Sequence, residues 1–178
     1  MSERFATATA ANGTTITNTY TDTTRVETFV VPANVTSLSI SATGGGGAGQ
    51  VSYFDGGSWY QQNGAAGGTT TVSRAGWSLT ANGGGGGVSS GTGGTVSISG
   101  ASSTTLNSTG GSKSGGTGGS SYYGSGSSQG GDFSKPATPT FGAGGGGGFQ
   151  YDGPQNYGGS GGGTGIAVFA VTPGQTIN

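Results

Sequence analysis

Residues 142–165 read GAGGGGGFQYDGPQNYGGSGGGTG, two glycine tracts around a short aromatic insert. Glycine loses more backbone freedom on folding than any other residue, at roughly 0.5–1 kcal/mol relative to alanine in an element interior. The chain carries 45 glycines among 178 residues, which on that scale adds roughly 20–45 kcal/mol of ordering cost. Either such tracts stay disordered, or they need glycine because backbones touch one another directly. The length of the runs and the shortage of other core material favour direct contact.

A glycine tract has a geometry suited to that contact. It can form a left-handed helix like polyproline II, with three residues per turn, a rise of about 3.1 Å and no internal hydrogen bonds. The N–H and C=O groups then point outward, and buried copies must bond to neighbouring chains. Close Cα–H···O contacts add a second-order term. The run Gly144–Gly148 would be a rod of roughly 15 Å, and the insert after it a reversal at the rod end. Gly85 and Gly146 stand inside such tracts, and a valine at either is expected to break the packing.

Composition narrows the rest. Only 29% of residues are apolar, and leucine occurs at Leu38, Leu79 and Leu106 alone. Net charge is −1 and charged residues make up 6%, so this is not the highly charged composition of a disordered chain. Five Lys and Arg against six Asp and Glu leave no basic patch, and nucleic acid is not an expected partner. There is no cysteine and no histidine, which removes disulfides, thiolate sites, and the commonest metal ligand and general base. The opening MSERFATATAANG has no apolar signal region, and 166–171 is far too short to cross a bilayer.

Strands flank the tracts. In 25–43, Val26, Thr28 and Val30 alternate with Glu27, Phe29 and Val31, and Leu38, Ile40 and Ala42 alternate with serines. That is the period of half-buried strands. Pro32-Ala33-Asn34 between them is turn chemistry, so the reading is a β-hairpin. Its candidate core is Val26, Val30, Leu38 and Ile40, joined by Val168 and Phe169. Further strands are expected at 69–73, around Val96 and Ile98, and at 165–177, where Pro173-Gly174 fits a type II turn. Trp77 and Leu79 read as core. Residues 1–24 form an arm, either a thin strand pair around Asn12-Gly13, a docking segment or a loose terminus. Residues 25–178 make one glycine-rich domain with inserts at 51–63, 120–136 and 149–157. The fold class is all-β, with short antiparallel strands anchoring a bundle of polyglycine II helices and no significant α-helix. No fixed repeat and no strict every-third glycine occurs, which excludes a solenoid and a collagen triple helix.

TFVVPANVTSLSISATGGGGAG (28–49) and GTGIAVFAVTPGQTI (163–177) resemble segments of glycine-rich domains in phage tail-fibre and tail-tip proteins. Alternating poly-Gly runs and variable inserts resemble the distal adhesins of T-even-like phages. Glycine-rich domains of anaplastic lymphoma kinase-type receptors are similar in their glycine runs and valine-proline strand entry. The resemblance implies a polyglycine II sandwich whose tip inserts attach to a host-surface glycan or outer-membrane protein. It also implies assembly with other virion or fibre subunits, a homo-oligomer, and synthesis in the host cytoplasm without a signal peptide, with an extracellular protein as the alternative.

Catalytic chemistry finds little support. Lys113-Ser114 follows Ser112 where a P-loop needs glycine, outside any strand-to-helix setting. Asp55, Asp132 and Asp152 each sit in an insert with nothing to fix their separation, and read as solvated loop acids. No metal or other cofactor is expected. The aromatics are more informative: Tyr53, Phe54, Trp59, Tyr60, Tyr122, Tyr123, Phe149, Tyr151 and Tyr157 all fall in the three inserts. Amphipathic rings beside amides suit recognition of sugars or flat protein surfaces. They equally suit a lid over the rod ends. If rods of similar length reverse together, the three inserts meet at one apex. The leading function is a non-enzymatic virion structural or adhesion protein, ahead of a self-assembling extracellular fibre or matrix protein. Ice binding would need a flat threonine array that the pattern lacks.

Overall fold

The computed structural model describes residues 4–9, 15–20, 26–87, 92–111, 118–126, 142–144, 147 and 156–178. No helix occurs among them, and every strand pair is antiparallel.

Two strands head the chain, β1 (Arg4–Thr9) and β2 (Thr15–Tyr20), paired in a register that centres on Asn12. The arm is thus a strand pair, and β1 adds to β4 (Ser37–Thr43). With β10 (Ser103–Ser108) and β11 (Thr164–Ala170) they form a five-stranded sheet of order β10-β11-β4-β1-β2. A second sheet, β7-β8-β9, consists of Thr70–Arg74, Trp77–Ala81 and Val96–Ser99. Between them lies the apolar core: Leu38, Ile40, Ala42, Ala167 and Phe169 against Val72, Trp77, Leu79 and Ala81. Trp77 stacks on Phe169 with ring centroids 4.3 Å apart. Leu79 and Val96 pack directly on Gly165, where a Cβ would lie 2.6 Å from Leu79 Cδ1 and 2.7 Å from Val96 Cγ1 and would push those methyls aside.

The hairpin expected within 25–43 does not form. β3 (Phe29–Val30) pairs with β12 (Thr176–Ile177), far along the chain, and not with β4. A turn closed by Val35 N–H on Pro32 O, with Asn34 at φ 66°, hands the chain from one sheet to the other. Val31 N–H donates to Gln175 O, and Gly174 N–H returns to Val31 O. This pairing turns Val31 and Val35 inward, and Val26 and Val30 are exposed, not core. The run Phe29-Val30-Val31 is apolar on both faces, so alternation alone could not choose the buried one. Pro173-Gly174 forms a turn with Gly174 at φ 79°.

Strands β4, β8, β10 run directly into glycine-rich tracts at 44–50, 82–87 and 109–111, and β7, β9, β11 are entered from tracts at 64–69, 92–95 and 156–163. Hydrogen bonds between tracts recur every three residues. Gly44, Gly47 and Gln50 donate to Gly163, Ser160 and Tyr157, while Gly45 and Ala48 donate to Gly68 and Ala65. Successive residues of one tract therefore bond to different neighbours, unlike a strand, whose residues alternate between two sides.

Tract 156–163 is the hub. It bonds to 44–50, to 82–87 (Ser160 and Gly163 N–H to Gly85 and Asn82 O) and to 92–95 (Gly94 N–H to Gly161 O). It also bonds to 109–111, to 118–121 and to 142–144, through Gly161 to Gly111, Gly119 to Gly159 and Gly162 to Gly142. These six tracts close a ring in that order when read 44–50, 82–87, 92–95, 109–111, 118–121, 142–144. The ring bonds are Gly84 to Gly45, Asn82 to Thr95, Gly110 to Gly94, Gly111 to Ser120 and Gly144 to Gly119. Gly46 closes it by lying against Ala143 O. Tract 64–69 sits outside the ring, against 44–50 and 82–87.

Glycine is obligatory at these contacts. A Cβ on Gly84, Gly110, Gly144 or Gly161 would come 2.0 Å from a neighbouring carbonyl oxygen. With a C–C bond of about 1.5 Å, each oxygen lies at most about 3.5 Å from the glycine Cα, within the range of a Cα–H···O contact. Gly85 takes part through both its backbone groups; Gly146 lies outside the described residues.

Two stability outcomes follow. A Cβ on Gly162 would meet Gly44 O at 2.1 Å, whereas Gly68 has nothing within 4 Å and no left-handed φ. Overpacking a tight interior costs about 1–3 kcal/mol and more where backbone cannot move, so Gly162→Ala should destabilise by at least that much. Gly68→Ala should stabilise by about 0.4–1 kcal/mol by restricting the unfolded chain. Equal melting temperatures for the two variants would refute the close-packed bundle. In the strand core, Ile40→Asp buries an unpaired carboxylate among Leu38, Leu79 and Phe169. It should abolish the cooperative thermal transition.

Candidate functional site

At the far end of the bundle from the two sheets, β5 (Val51–Asp55) and β6 (Ser58–Gln62) form a separate hairpin. Its turn is Gly56-Gly57, both at positive φ (56° and 84°), the two-residue type I′ geometry that only such residues adopt readily. Asp55 precedes that turn, opposite Ser58. The register places Val51, Tyr53, Tyr60 and Gln62 on one face, and Ser52, Phe54, Trp59 and Gln61 on the other.

A two-stranded hairpin is marginal alone, and this one is tied down by amides. Asn156, buried at the start of the hub tract, accepts through Oδ1 from Ser52 Oγ at 2.8 Å and Gln61 Nε2 at 3.3 Å. Gln50, buried at the end of its own tract, donates to Asn63 Oδ1 at 2.8 Å and accepts from Tyr157 N–H at 3.3 Å. The network fixes the base of the hairpin to the end of the hub.

The rings remain open to solvent. Tyr53 is 52% exposed, Phe54 57% and Tyr60 48%. Tyr53 and Tyr60 stack across the strands at 5.5 Å, and Phe54 and Trp59 form a tilted pair at 5.0 Å. Large, grouped and exposed rings on a tethered support are what a recognition surface requires.

The other aromatics divide. Tyr157 stands at the same end, beside Gln50, and so does Gly147, where a Cβ would lie 2.9 Å from Asn156 O. Phe149 and Tyr151 lie outside the described residues. Tyr122 and Tyr123 are elsewhere: they form an edge-to-face pair at 5.0 Å, and Tyr123 Oη hydrogen-bonds Ser41 Oγ at 3.0 Å on the five-stranded sheet. The described part of the 120–136 insert, 120–126, therefore does not share an apex with 51–63. The chain at 118–121 runs back toward the sheets, and Ser121 and Gly124 close the reversal there with paired backbone bonds. Asp132 and Asp152 lie outside the described residues, as do Lys113 and its neighbours. Among the described residues no group of three His, Cys, Asp or Glu side chains comes together.

The amides Gln50, Gln61, Asn63 and Asn156 were not singled out by the sequence reading. Their signal was positional: Gln50, Asn63 and Asn156 stand where a glycine tract meets an insert, and Gln61 lies near the end of β6. Asn156→Ala removes the shared acceptor, and loss of such a buried partner costs about 1–3 kcal/mol. Amide exchange should accelerate in 51–62 more than in 158–163; equal acceleration in both would mean that Asn156 does not tether the hairpin.

No family model matches the chain, and the searches of curated proteins and of solved structures likewise return no match.

Proposed function

We propose that the protein is a non-enzymatic viral (phage) structural and adhesion protein, in which a bundle of polyglycine II rods holds loops for attachment to a host surface. The observation that carries this reading is the exposed aromatic hairpin, tethered by buried amides to the hub of the bundle and set apart from the sheets. The three-residue recurrence of hydrogen bonds supports polyglycine II geometry for the tracts. A rigid support lowers the entropy lost on binding, and rings with two χ angles add contact area at low cost. The surrounding amides favour a neutral polar target, a host glycan or the outer loops of a membrane protein. The absence of His and Cys from the sequence leaves the usual nucleophile–base pairs without members.

The Tyr53→Ser/Tyr60→Ser double variant tests attachment. A cross-strand pair contributes about 0.2–1 kcal/mol, so the melting temperature should barely move. Attachment to susceptible bacterial cells should fall tenfold or more, which corresponds to about 1.4 kcal/mol. A pronounced fall in melting temperature, with attachment lost only in proportion to the folded fraction, would instead assign the rings to a lid.

A further inference from the structure

The two faces of the distal hairpin are not equivalent. Alternation puts Ser52, Phe54, Trp59 and Gln61 on one face, and its two polar members are taken up by the tether, both bonding Asn156 Oδ1. The opposite face carries Val51, Tyr53 and Asp55 on β5 against Gln62, Tyr60 and Ser58 on β6. Among the described residues, none of the polar side chains on this second face has a hydrogen-bond partner. The Tyr53–Tyr60 stack, with planes 18° apart, covers one face of each ring and leaves the other open.

Size and charge limit what this face can take. Two strands of five residues, at about 3.4 Å per residue and about 4.8 Å apart, give a strip of roughly 17 Å by 10 Å. A protein partner in a stable complex needs about 800 Å² on each side, several times that footprint. Asp55 is the sole charged residue in 51–63. An anionic ligand therefore meets like charge at the turn end of the strip and no attraction along the rest. A cation gains little from one exposed carboxylate. What the strip offers is aromatic faces, two phenol hydroxyls, an amide and a carboxylate acceptor. A neutral sugar matches that set: its C–H bonds suit the negative face of an aromatic ring, and its hydroxyls donate to carboxylate and amide oxygens.

We propose that the Tyr53–Tyr60 face of the hairpin is a binding strip for a neutral oligosaccharide chain. The open ring faces take the C–H faces of sugar units, Asp55 accepts from hydroxyls at the turn end, and Gln62 bonds the chain near the base. The assignment rests on the attachment reading given above and commits it to a glycan, not to the loops of a membrane protein. A hydrogen bond to an ionised acceptor is roughly twice as strong as a neutral one, so Asp55 is the polar contact whose loss is felt most. One sugar on an open strip binds weakly, and a repeating chain held at several points binds through their combination.

Attachment of the labelled full chain to susceptible bacterial cells provides the test. Mild periodate, which cleaves the vicinal diols of sugars, should abolish attachment, and protease treatment of the cells should leave it. Surface polysaccharide released from the same cells and passed over an anion exchanger should compete in its unretained, neutral fraction. Asp55→Asn keeps a residue suited to the turn and should weaken attachment tenfold or more at an unchanged melting temperature. Glu27→Gln, which removes a carboxylate next to β3, should leave attachment as it is. Attachment that survives periodate and is lost to protease overturns the glycan assignment and leaves the attachment reading standing. Competition confined to the retained, acidic fraction does the same for the neutral class. Attachment of Asp55→Asn at the wild-type level overturns the placement of the sugar on this face. No attachment to untreated cells overturns the glycan assignment and the attachment reading together.

Discussion

The structure depends on one close approach, a carbonyl oxygen of one tract resting against the Cα of the next. Around the hub this contact occurs toward tract after tract, and it leaves room for hydrogen alone. Apolar side chains then cannot supply cohesion in the bundle, because any side chain at those positions would force the backbones apart. Hydrogen bonds between tracts must do so, each worth about 0.5–1.5 kcal/mol net. The ordering cost of glycine is offset by density of backbone pairing and not by burial of large groups. Outward positions obey the opposite rule: Ala48, Ala65, Ala66, Thr69, Thr92 and Ser120 are all exposed.

A chain that changes from a two-residue to a three-residue repeat must do so without stranding polar groups. The junction is built from threonines. Thr43, Thr70 and Thr164 are fully buried where three strands meet their tracts. Thr43 and Thr164 share a hydroxyl hydrogen bond at 3.1 Å, and Thr70 Oγ1 donates to Thr43 O at 2.8 Å. These hydroxyls satisfy groups that neither repeat accommodates alone. Two buried polar atoms, Trp77 Nε1 and Ser160 Oγ, have no partner among the described residues. Each is a destabilising feature of about 1–3 kcal/mol, tolerated because the surrounding packing fixes both residues from several sides.

Much of this was legible in the chain. Glycine tracts too long for turns pointed to direct backbone contact, and the stretch 142–165 that most constrained the sequence contains the hub. Alternation placed Leu38 and Ile40 in the core, and Trp77 and Leu79 read as core with them; of Val168 and Phe169, both expected there, Phe169 is buried and Val168, on the opposite face of β11, is not. Sheet pairing was less legible. Proximity in sequence suggested that 26–31 pairs with 37–42, but β3 pairs with β12 across nearly the whole domain, and no local pattern encodes a partner so distant. Position of the inserts was legible only in part. Rod length says that inserts lie at ends, but which end follows from the direction of each tract, and direction is a property of the whole topology. Tyr122 and Tyr123 accordingly lie at the sheet end, with Tyr123 on Ser41, while Tyr53 and Tyr60 lie at the other end.

The two ends of the bundle are therefore unequal, and the inequality explains where binding chemistry can reside. At the sheet end, five of the six strands that join tracts line one continuous apolar core, so the chain reversals there are held by side-chain packing as well as by backbone bonds. Tyr123 there is occupied by Ser41. At the opposite end no buried apolar cluster occurs among the described residues, and the reversal at 51–62 rests on Gln50, Asn63 and Asn156 together with a glycine turn. Polar anchoring leaves the aromatic rings of 51–62 with no internal cavity to fill, so they stay at the surface. Local stability falls where buried apolar contacts are few, and binding surfaces are drawn from such regions on rigid supports. A bundle made almost entirely of backbone can thus vary one end without disturbing the other, because its cohesion resides in tracts that no insert enters.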